Sequence, residues 1–262
     1  MKYIFSLLVF CFVNLFATAQ KLTFKANNNY LAPANPASIV TNGLYLYLNA
    51  MVYSGGRTWV DLSPLHNNAT IGGTTLPTYS SSPASISFGY SQYATTSNNS
   101  LSFSKSAATF IAWINPSITQ PDYTGIIFSR GGYGNPTSQP PATGLDLFHN
   151  NSVGYHWNDQ PNNYNWNSNL FVPNNAWSMV VIAIEPNLTT AYLCNANGIR
   201  SAVNNIANVP LNNLNFFIAC DPFSVNTRVF AGKIGIAMIY NTTLTKTEIT
   251  SIFNAQKPFF GL

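Results

Sequence analysis

Aromatic and amide side chains alternate along residues 153–166, which makes this segment the strongest chemical signal in the sequence. Its aromatic residues are Tyr155, Trp157, Tyr164 and Trp166, and they are interleaved with His156, Asn158, Asp159, Gln160, Asn162, Asn163 and Asn165. Aromatic rings pack against the apolar C–H faces of a sugar ring, while amide and carboxylate groups hydrogen-bond with its hydroxyls. The composition of the segment therefore favours a ligand site of the kind that binds carbohydrate.

The same pattern is also typical of a strand with one buried face. Successive side chains of a β-strand point to opposite faces, so Val153, Tyr155 and Trp157 share a face that could be the core. Tyr164 and Trp166 follow a Pro-Asn-Asn turn, which favours the surface for both. The predicted ligand-binding residues of this segment are His156, Asn158, Asp159, Tyr164 and Trp166.

A long loop from Arg130 to Thr143 is a second candidate for ligand binding. It is rich in glycine and proline and carries Tyr133 near its tip. Loops at the ends of a rigid scaffold commonly carry binding residues. We therefore add Tyr133 to the predicted ligand-binding residues.

Carboxylates are too scattered along the chain to suggest catalysis. Glycoside hydrolysis generally needs two of them facing one another across the scissile bond. Glu248 belongs to a predicted helix cap, and Glu185 precedes a proline at a strand end. The seven carboxylates are Asp61, Asp122, Asp146, Asp159, Glu185, Asp221 and Glu248. The sequence also lacks a Gly-x-Ser-x-Gly motif, and His66, His149 and His156 have no zinc-ligand spacing. We therefore predict that the chain is not an enzyme, with glycoside hydrolysis as the least favoured alternative.

The charge composition excludes a nucleic-acid-binding protein. Only 7% of the residues are charged, and the formal net charge is +4. Lysines and arginines are dispersed, whereas nucleic-acid binding needs a concentrated basic patch. The polar residues are mostly Asn, Ser and Thr, which suit hydrogen bonding to neutral partners.

The amino terminus has the features of a secretory signal peptide. Lys2 precedes a short apolar run that ends at Ala17-Thr18-Ala19, so we predict a signal peptide over residues 1–19. The run is shorter than the roughly 20 apolar residues that a spanning helix needs. We expect no membrane span after cleavage, and a secreted or cell-surface location with a periplasmic one left open. Export would permit a Cys194–Cys220 disulfide, but two buried thiols are an equal alternative.

Short apolar runs separated by Asn, Gly, Pro and Ser predict an all-β fold of two antiparallel sheets packed as a sandwich. These runs are residues 44–48, 110–114, 125–128, 179–184, 216–219 and 234–240. Near the end, Thr245 and Glu248 form a capping box before Ile249, Ile252 and Phe253, which predicts one short C-terminal helix. We assign residues 20–42 to a lead-in segment and 43–262 to a single domain.

Three stretches resemble a known family. They are GLYLYLNA with TWVDLS (43–50 and 58–63), GYHWN with YNW and VPNNAWS (154–158, 164–166 and 172–178), and RVFAGKI with IYN, LT and EI (228–234, 239–241, 244–245 and 248–249). In this order they are similar to laminin G-like jelly-roll domains of the concanavalin A-like lectin/glucanase superfamily. Many members of that family have an acidic pair after Gly-Lys-Ile, whereas this chain has Gly235 and Ile236.

The resemblance implies a jelly roll whose function is not fixed by its fold, because the superfamily includes lectins, glucanases and adhesion modules. It also raises calcium as a cofactor, for which Asp146, Asp159 and Asp221 are the weak candidate ligands. The leading hypothesis is a module that binds extracellular or cell-surface polysaccharide or glycoprotein. The alternative is a structural or adhesive domain that binds other envelope proteins.

Overall fold

Seventeen β-strands run through the described residues of a computed structural model, which are 39–96, 103–130, 142–208, 211–213 and 215–262. The first eight strands are β1 (Leu44–Asn49), β2 (Thr58–Trp59), β3 (Ala69–Gly72), β4 (Thr78–Ser81), β5 (Ala84–Phe88), β6 (Tyr93–Thr96), β7 (Phe103–Lys105) and β8 (Ala108–Pro116). The next five are β9 (Thr124–Ser129), β10 (Thr143–Phe148), β11 (Ser152–Trp157), β12 (Ser178–Glu185) and β13 (Leu188–Asn195). The last four are β14 (Gly198–Asn204), β15 (Leu211–Asn213), β16 (Phe217–Ile218) and β17 (Gly232–Tyr240).

The described residues also contain four short helical segments, two between strands and two after the last strand. The α-helices are α1 (Pro161–Tyr164), a single turn between β11 and β12, and α2 (Lys246–Gln256) after β17. The 3₁₀ turns are Ala50–Val52 and Lys257–Phe260.

The strands form two large antiparallel sheets. Sheet A has the order β14-β13-β12-β8-β17-β5-β4, with β1 also paired to β17. Sheet B has the order β11-β10-β9-β16-β6-β3-β2. The predicted all-β sandwich of the concanavalin A-like type is therefore confirmed. Strands β7 and β15 form a separate two-stranded sheet.

The main core lies between the two sheets. Leu145 of β10 and Trp157 of β11 are wholly buried in one cluster with Phe110 of β8 and Ile182 of β12. Alternation along each strand sends every second side chain into this layer. The alternating sequences of β10 and β11 thus give sheet B one buried face and one outer face.

Sheet A is buried on both faces because α2 and the residues after it cover its outer side. Trp113 of β8 stacks against Phe253 at 5.6 Å and Phe260 at 4.3 Å between ring centroids. Its indole N–H donates to Gln256 Oε1 at 2.6 Å. A strand buried on both faces needs a continuous apolar run, which explains the unbroken sequences of β8 and β12.

The capping box predicted for the C-terminal helix is confirmed. The Thr245 hydroxyl accepts from the Glu248 backbone N–H, and the Glu248 carboxylate accepts from the Thr245 backbone N–H. Further along, Gly235 lies directly beneath the Phe260 ring, and a Cβ atom at Gly235 would overlap that ring. The departure from the family pattern at this position therefore makes room for the C-terminal segment.

The two cysteines are buried free thiols. Cys194 of β13 lies in the core beneath α2, where burial raises its pKa to about 12. Cys220 follows β16 in sheet B, and burial raises the pKa of its thiol as well. The disulfide alternative is wrong, because the chain places one thiol against each sheet.

Truncating Phe260 tests whether the C-terminal segment holds sheet A. Phe260→Ala removes a buried ring from the Trp113 stack, so we expect the free energy of unfolding to fall by about 3–5 kcal/mol in urea denaturation. Phe259→Ala is the matched control, because Phe259 is half-buried and only borders the cluster. Equal losses for the two variants would contradict this packing.

Candidate functional site

Asp146 and His156 form a buried pair on the outer face of sheet B. Residues 145, 147, 153, 155 and 157 fill the core, so the intervening side chains of β10 and β11 point the other way. His156 Nδ1 lies 2.5 Å from Asp146 Oδ2. Asp146 is paired across the strands with Gly154, where a Cβ atom would overlap the carboxylate. The glycine therefore makes room for the pair.

Burial shapes the electrostatics of this pair. His156 is 3% exposed and Asp146 is 1% exposed. Burial raises the pKa of the Asp146 carboxyl group, and this effect outweighs the lowering influence of the neighbouring His156. A buried carboxyl group of this kind depends on its partner for stability.

Aromatic rings enclose His156 on three sides. Tyr164, the last residue of α1, stacks on the imidazole at 5.2 Å and 20°. Phe128 and Tyr123 present their edges to it at 4.9 Å and 5.6 Å. The imidazole is thus a packed part of an aromatic cluster.

Tyr123 adopts a left-handed backbone conformation, with a φ of 62°. This conformation is strained for a bulky residue and costs of order 1–3 kcal/mol. The surrounding structure holds the side chain firmly, since its ring stacks on Phe148 at 5.0 Å. Its hydroxyl donates to Asn165 Oδ1 at 3.0 Å. These two contacts fix the Tyr123 ring at the surface of sheet B.

Two arginines share the buried carboxylate of Asp221. Arg130 Nε and Nη2 donate to it at 2.7 and 3.1 Å, and Arg228 Nη1 donates at 2.8 Å. Arg130 also lies 3.4 Å from the half-exposed carboxylate of Asp159. The Phe223 ring packs on both guanidinium groups, at 5.2 Å from Arg130 and 4.6 Å from Arg228. Arg228 in turn lies 4.9 Å from the Tyr123 ring. We call the side chains of Tyr123, Arg130, Asp146, His156, Asp159, Tyr164, Asp221, Phe223 and Arg228 the sheet B cluster.

The three candidate calcium ligands do not fit a calcium ion. Asp146 is paired with His156, whereas Asp159 and Asp221 contact arginines. Across the described parts of the chain, no three His, Cys, Asp or Glu side chains group closely enough to hold a metal. Calcium takes six to eight oxygen ligands, which these cation-paired carboxylates do not supply together.

An open pocket lies on the other side of α1. Trp166, just after the helix, is half-buried. Its ring packs edge-to-face against the Tyr155 ring, with 5.8 Å between the ring centroids. Asn204 at the end of β14 donates to Tyr155 Oη and to the Asn162 carbonyl, both at 3.0 Å, and so joins β14 to α1. The resulting α1 pocket has a volume of about 440 Å³, within the usual range for ligand sites. It is lined by Pro161, Asn162, Asn165, Trp166, Asn204, Asn205 and Ile206, none of which is charged.

The structure divides the predicted ligand-binding residues between these two places. Tyr164 contacts His156, and Trp166 contacts Tyr155, whose side chain points to the opposite face of β11. Asn158 and Asp159 form the left-handed turn that connects β11 to α1. Tyr133 lies outside the described residues.

Sequence reasoning missed the residues that come from distant strands. Asn204 at the end of β14 and Asn205 just after it line the pocket, and Arg228 and Phe223 join the cluster from the segment before β17. Asp221, which both arginines contact, was named from the sequence as a candidate calcium ligand. Nothing local marks the others, since their contacts with α1 and Tyr123 span tens of residues.

Comparison with known proteins places the chain among carbohydrate-related folds. A family model described as the concanavalin A-like lectin/glucanases superfamily matches residues 88–250. No curated protein matches at a significant level. In the described parts of the chain, no helix combines the length and apolar character needed to cross a membrane.

Several solved structures resemble the chain at low sequence identity. One is domain 4 of AbnA, a GH43 extracellular arabinanase from Geobacillus stearothermophilus, in complex with arabinotriose, with a TM-score of 0.59, 13% identity, and coverage of 80% of this chain and 97% of that one. Another is a Trypanosoma rangeli sialidase in complex with the inhibitor DANA, with a TM-score of 0.57, 16% identity, and coverage of 87% and 36%. A third is a GH54 arabinofuranosidase, with a TM-score of 0.53, 11% identity, and coverage of 78% and 51%. The chain therefore spans about a third of the sialidase and half of the arabinofuranosidase.

The prediction that the chain is not an enzyme is wrong. It rested on the number and scatter of carboxylates, whereas the three structures described above are two glycoside hydrolases and one domain of a third. At 11–16% identity, these neighbours show that the fold is shared.

Removing His156 tests the buried pair. His156→Gln leaves the Asp146 carboxyl group buried without its ionisable partner, so we expect unfolding at neutral pH to become about 3–5 kcal/mol easier. The double variant Asp146→Asn with His156→Gln is the control, and we expect it to lose less because no carboxylate is stranded.

The pH dependence of this loss follows from the Asp146 pKa. A carboxyl group with a raised pKa in the folded state destabilises the fold once the pH exceeds its ordinary value of 3.8. Loss of His156 raises that pKa further. The wild type shares this penalty up to its own raised Asp146 pKa, so the deficit of His156→Gln should be small near pH 3.8 and grow as the pH rises above that raised pKa. A deficit that does not change with pH, measured by urea denaturation, would refute the pairing.

Proposed function

Because the chain belongs to the concanavalin A-like lectin/glucanase superfamily, we propose that it binds a glycan and that the α1 pocket is its binding site. Membership of the superfamily does not specify a ligand, so the argument depends on the site. The observation that carries the proposal is the half-buried Trp166 ring in an open pocket lined by four asparagines.

The chemistry of the pocket matches a sugar ring. The indole of Trp166 offers an apolar surface for the C–H face of a sugar, and packing against Tyr155 fixes its orientation. Each asparagine amide supplies both hydrogen-bond donors and acceptors, as sugar hydroxyls require. Asn165 already accepts from Tyr123 with its oxygen, and its amide nitrogen is a donor that a sugar hydroxyl could accept from. The pocket thus combines one hydrophobic platform with several neutral polar groups.

The structural neighbours suggest where to look for the ligand. The Geobacillus domain was solved with arabinotriose, and the match covers 97% of that domain and 80% of this chain. Arabinan and arabino-oligosaccharides are therefore the first glycans to test.

Processing of the bound glycan is a second candidate function. The relevant observation is that the sialidase and the arabinofuranosidase are glycoside hydrolases. Among the described carboxylates, Asp159 is exposed in the turn before α1. Measuring reducing ends released from each polysaccharide that binds would test this function directly.

We place the action of this protein outside the cytoplasm, as a secreted or cell-surface module. Support comes from the signal peptide predicted for residues 1–19, with residues 20–42 as a lead-in and 43–262 as the binding domain. The arabinanase neighbour is likewise extracellular. A structural or adhesive domain that contacts envelope proteins is the runner-up, and it would give co-purifying proteins in place of sugar affinity.

Substitution of Trp166 tests the pocket. We expect Trp166→Ala to weaken binding to the preferred polysaccharide about tenfold or more, because the ring is the main apolar contact. Affinity electrophoresis against a panel that includes arabinan, followed by calorimetry on the best ligand, measures the change. Phe171→Ala is the matched control, since Phe171 is an exposed aromatic residue nearby in the sequence that does not line the pocket.

Two outcomes would contradict the proposal. One is that the wild-type protein binds no glycan of the panel. The other is that Trp166→Ala and Phe171→Ala bind equally well, which would move the site elsewhere.

A further inference from the structure

The ring of Phe223 is an exposed aromatic side chain in a polar setting. It is 60% exposed, and the guanidinium groups of Arg130 and Arg228 pack against it. Both arginines are fixed by the wholly buried Asp221, which also accepts from the Phe223 backbone N–H at 2.9 Å. Cation–π contacts and a bonded backbone thus hold an exposed ring in one orientation. A rigid surface ring is a preorganised contact for a ligand.

The array continues from Phe223 to the strained Tyr123. Arg228 lies between the two rings, 4.6 Å from Phe223 and 4.9 Å from Tyr123. Tyr123 is half-buried, and its edge meets the Tyr164 ring at 6.0 Å. The sheet B cluster therefore presents partly exposed rings and guanidinium groups side by side.

One residue joins this array to the α1 pocket. Asn165 lines the pocket and also accepts the Tyr123 hydroxyl hydrogen bond at 3.0 Å. A ligand chain that leaves the pocket past Asn165 therefore meets Tyr123 next. The continuity links two surfaces that the turn of α1 would otherwise separate.

The charges of the sheet B cluster favour a neutral ligand. Arg130 and Arg228 are balanced by Asp221 and Asp159, and His156 is paired with Asp146. The exposed Asp122 adds a further negative charge beside Tyr123. No positive charge is left over for a carboxylate or phosphate ligand. Guanidinium and carboxylate groups that are already paired still hydrogen-bond to hydroxyls.

We propose that the sheet B cluster is a second subsite for the same glycan, so that the protein binds an uncharged polysaccharide chain rather than a single terminal sugar. This inference rests on the proposed function of the α1 pocket. Trp166 holds one part of the chain, and Tyr123 with Phe223 holds a part further along it. Once the first part is bound, the second contact is intramolecular and raises the overall affinity.

The dependence of affinity on chain length tests this inference. The probes are linear arabino-oligosaccharides from the disaccharide to the octasaccharide, or the matching series of another polysaccharide that the panel identifies. For the wild type we expect affinity to rise with length. Phe223→Ala should bind the octasaccharide about tenfold more weakly and leave disaccharide binding unchanged. Trp166→Ala should weaken both.

Two control variants make the comparison specific. Phe223→Tyr retains the ring and should keep the rise of affinity with length. Leu65→Ala truncates another exposed apolar residue, outside both surfaces, and should behave as the wild type. Because Phe223 is largely exposed, its truncation leaves the fold intact, which a thermal unfolding curve verifies.

Each contrary outcome identifies what has failed. If Phe223→Ala matches the wild type at every length, or weakens the disaccharide and the octasaccharide equally, the second subsite is refuted while the pocket stands. If an acidic polymer such as polygalacturonate binds more tightly than neutral polysaccharides, and Trp166→Ala weakens that binding, the proposal of an uncharged ligand is refuted. If the wild type binds no glycan, the proposed function fails as well.

Discussion

The strict alternation of side chains along β11 is the constraint on which both surfaces of this protein depend. Tyr155 and Trp157 are anchored in the core, which forces His156 onto the outer face of sheet B. The turn of α1 then places one aromatic residue on each side, since Tyr164 stacks on His156 and Trp166 meets Tyr155. A shift of one residue in the register of β11 would turn the imidazole into the core between the sheets and both core rings onto the outer face.

The second core cluster, between sheet A and the C-terminal segment, shares no residue with either surface. The outer face of sheet A is closed by α2 and by the stack of Phe253 and Phe260 on Trp113. The sheet B cluster lies on the other side of the sandwich, on the outer face of sheet B, where His156 pairs with Asp146 and two arginines pack on Phe223. Tyr123 keeps its strained conformation at the surface through its own contacts, the stack on Phe148 and the hydrogen bond to Asn165.

Much of the fold was predictable because its signals are local. The alternation of β10 and β11, the unbroken apolar runs of β8 and β12 and the capping box at Thr245 each depend on neighbouring residues. The site was only half predictable. Tyr164 and Trp166 follow a turn signal, but Asn204 reaches the pocket across 42 residues and leaves no trace in the sequence. The number and spacing of carboxylates in the sequence gave the wrong prediction about enzymes, because spacing along the chain does not show which proteins share the fold. The cysteines show the same limit, since their assignment to separate sheets depends on topology.

In the function proposed here, the ring of Trp166 and the surrounding asparagine amides form a platform for an uncharged glycan. The most direct measurement is a crystal structure of the protein with the tightest-binding oligosaccharide of the panel. We expect a sugar ring to lie flat on Trp166 in the α1 pocket, with hydroxyls bonded to the amides of Asn162, Asn165 or Asn205. A bound oligosaccharide that makes no contact with Trp166 would show that the α1 pocket is not the glycan site.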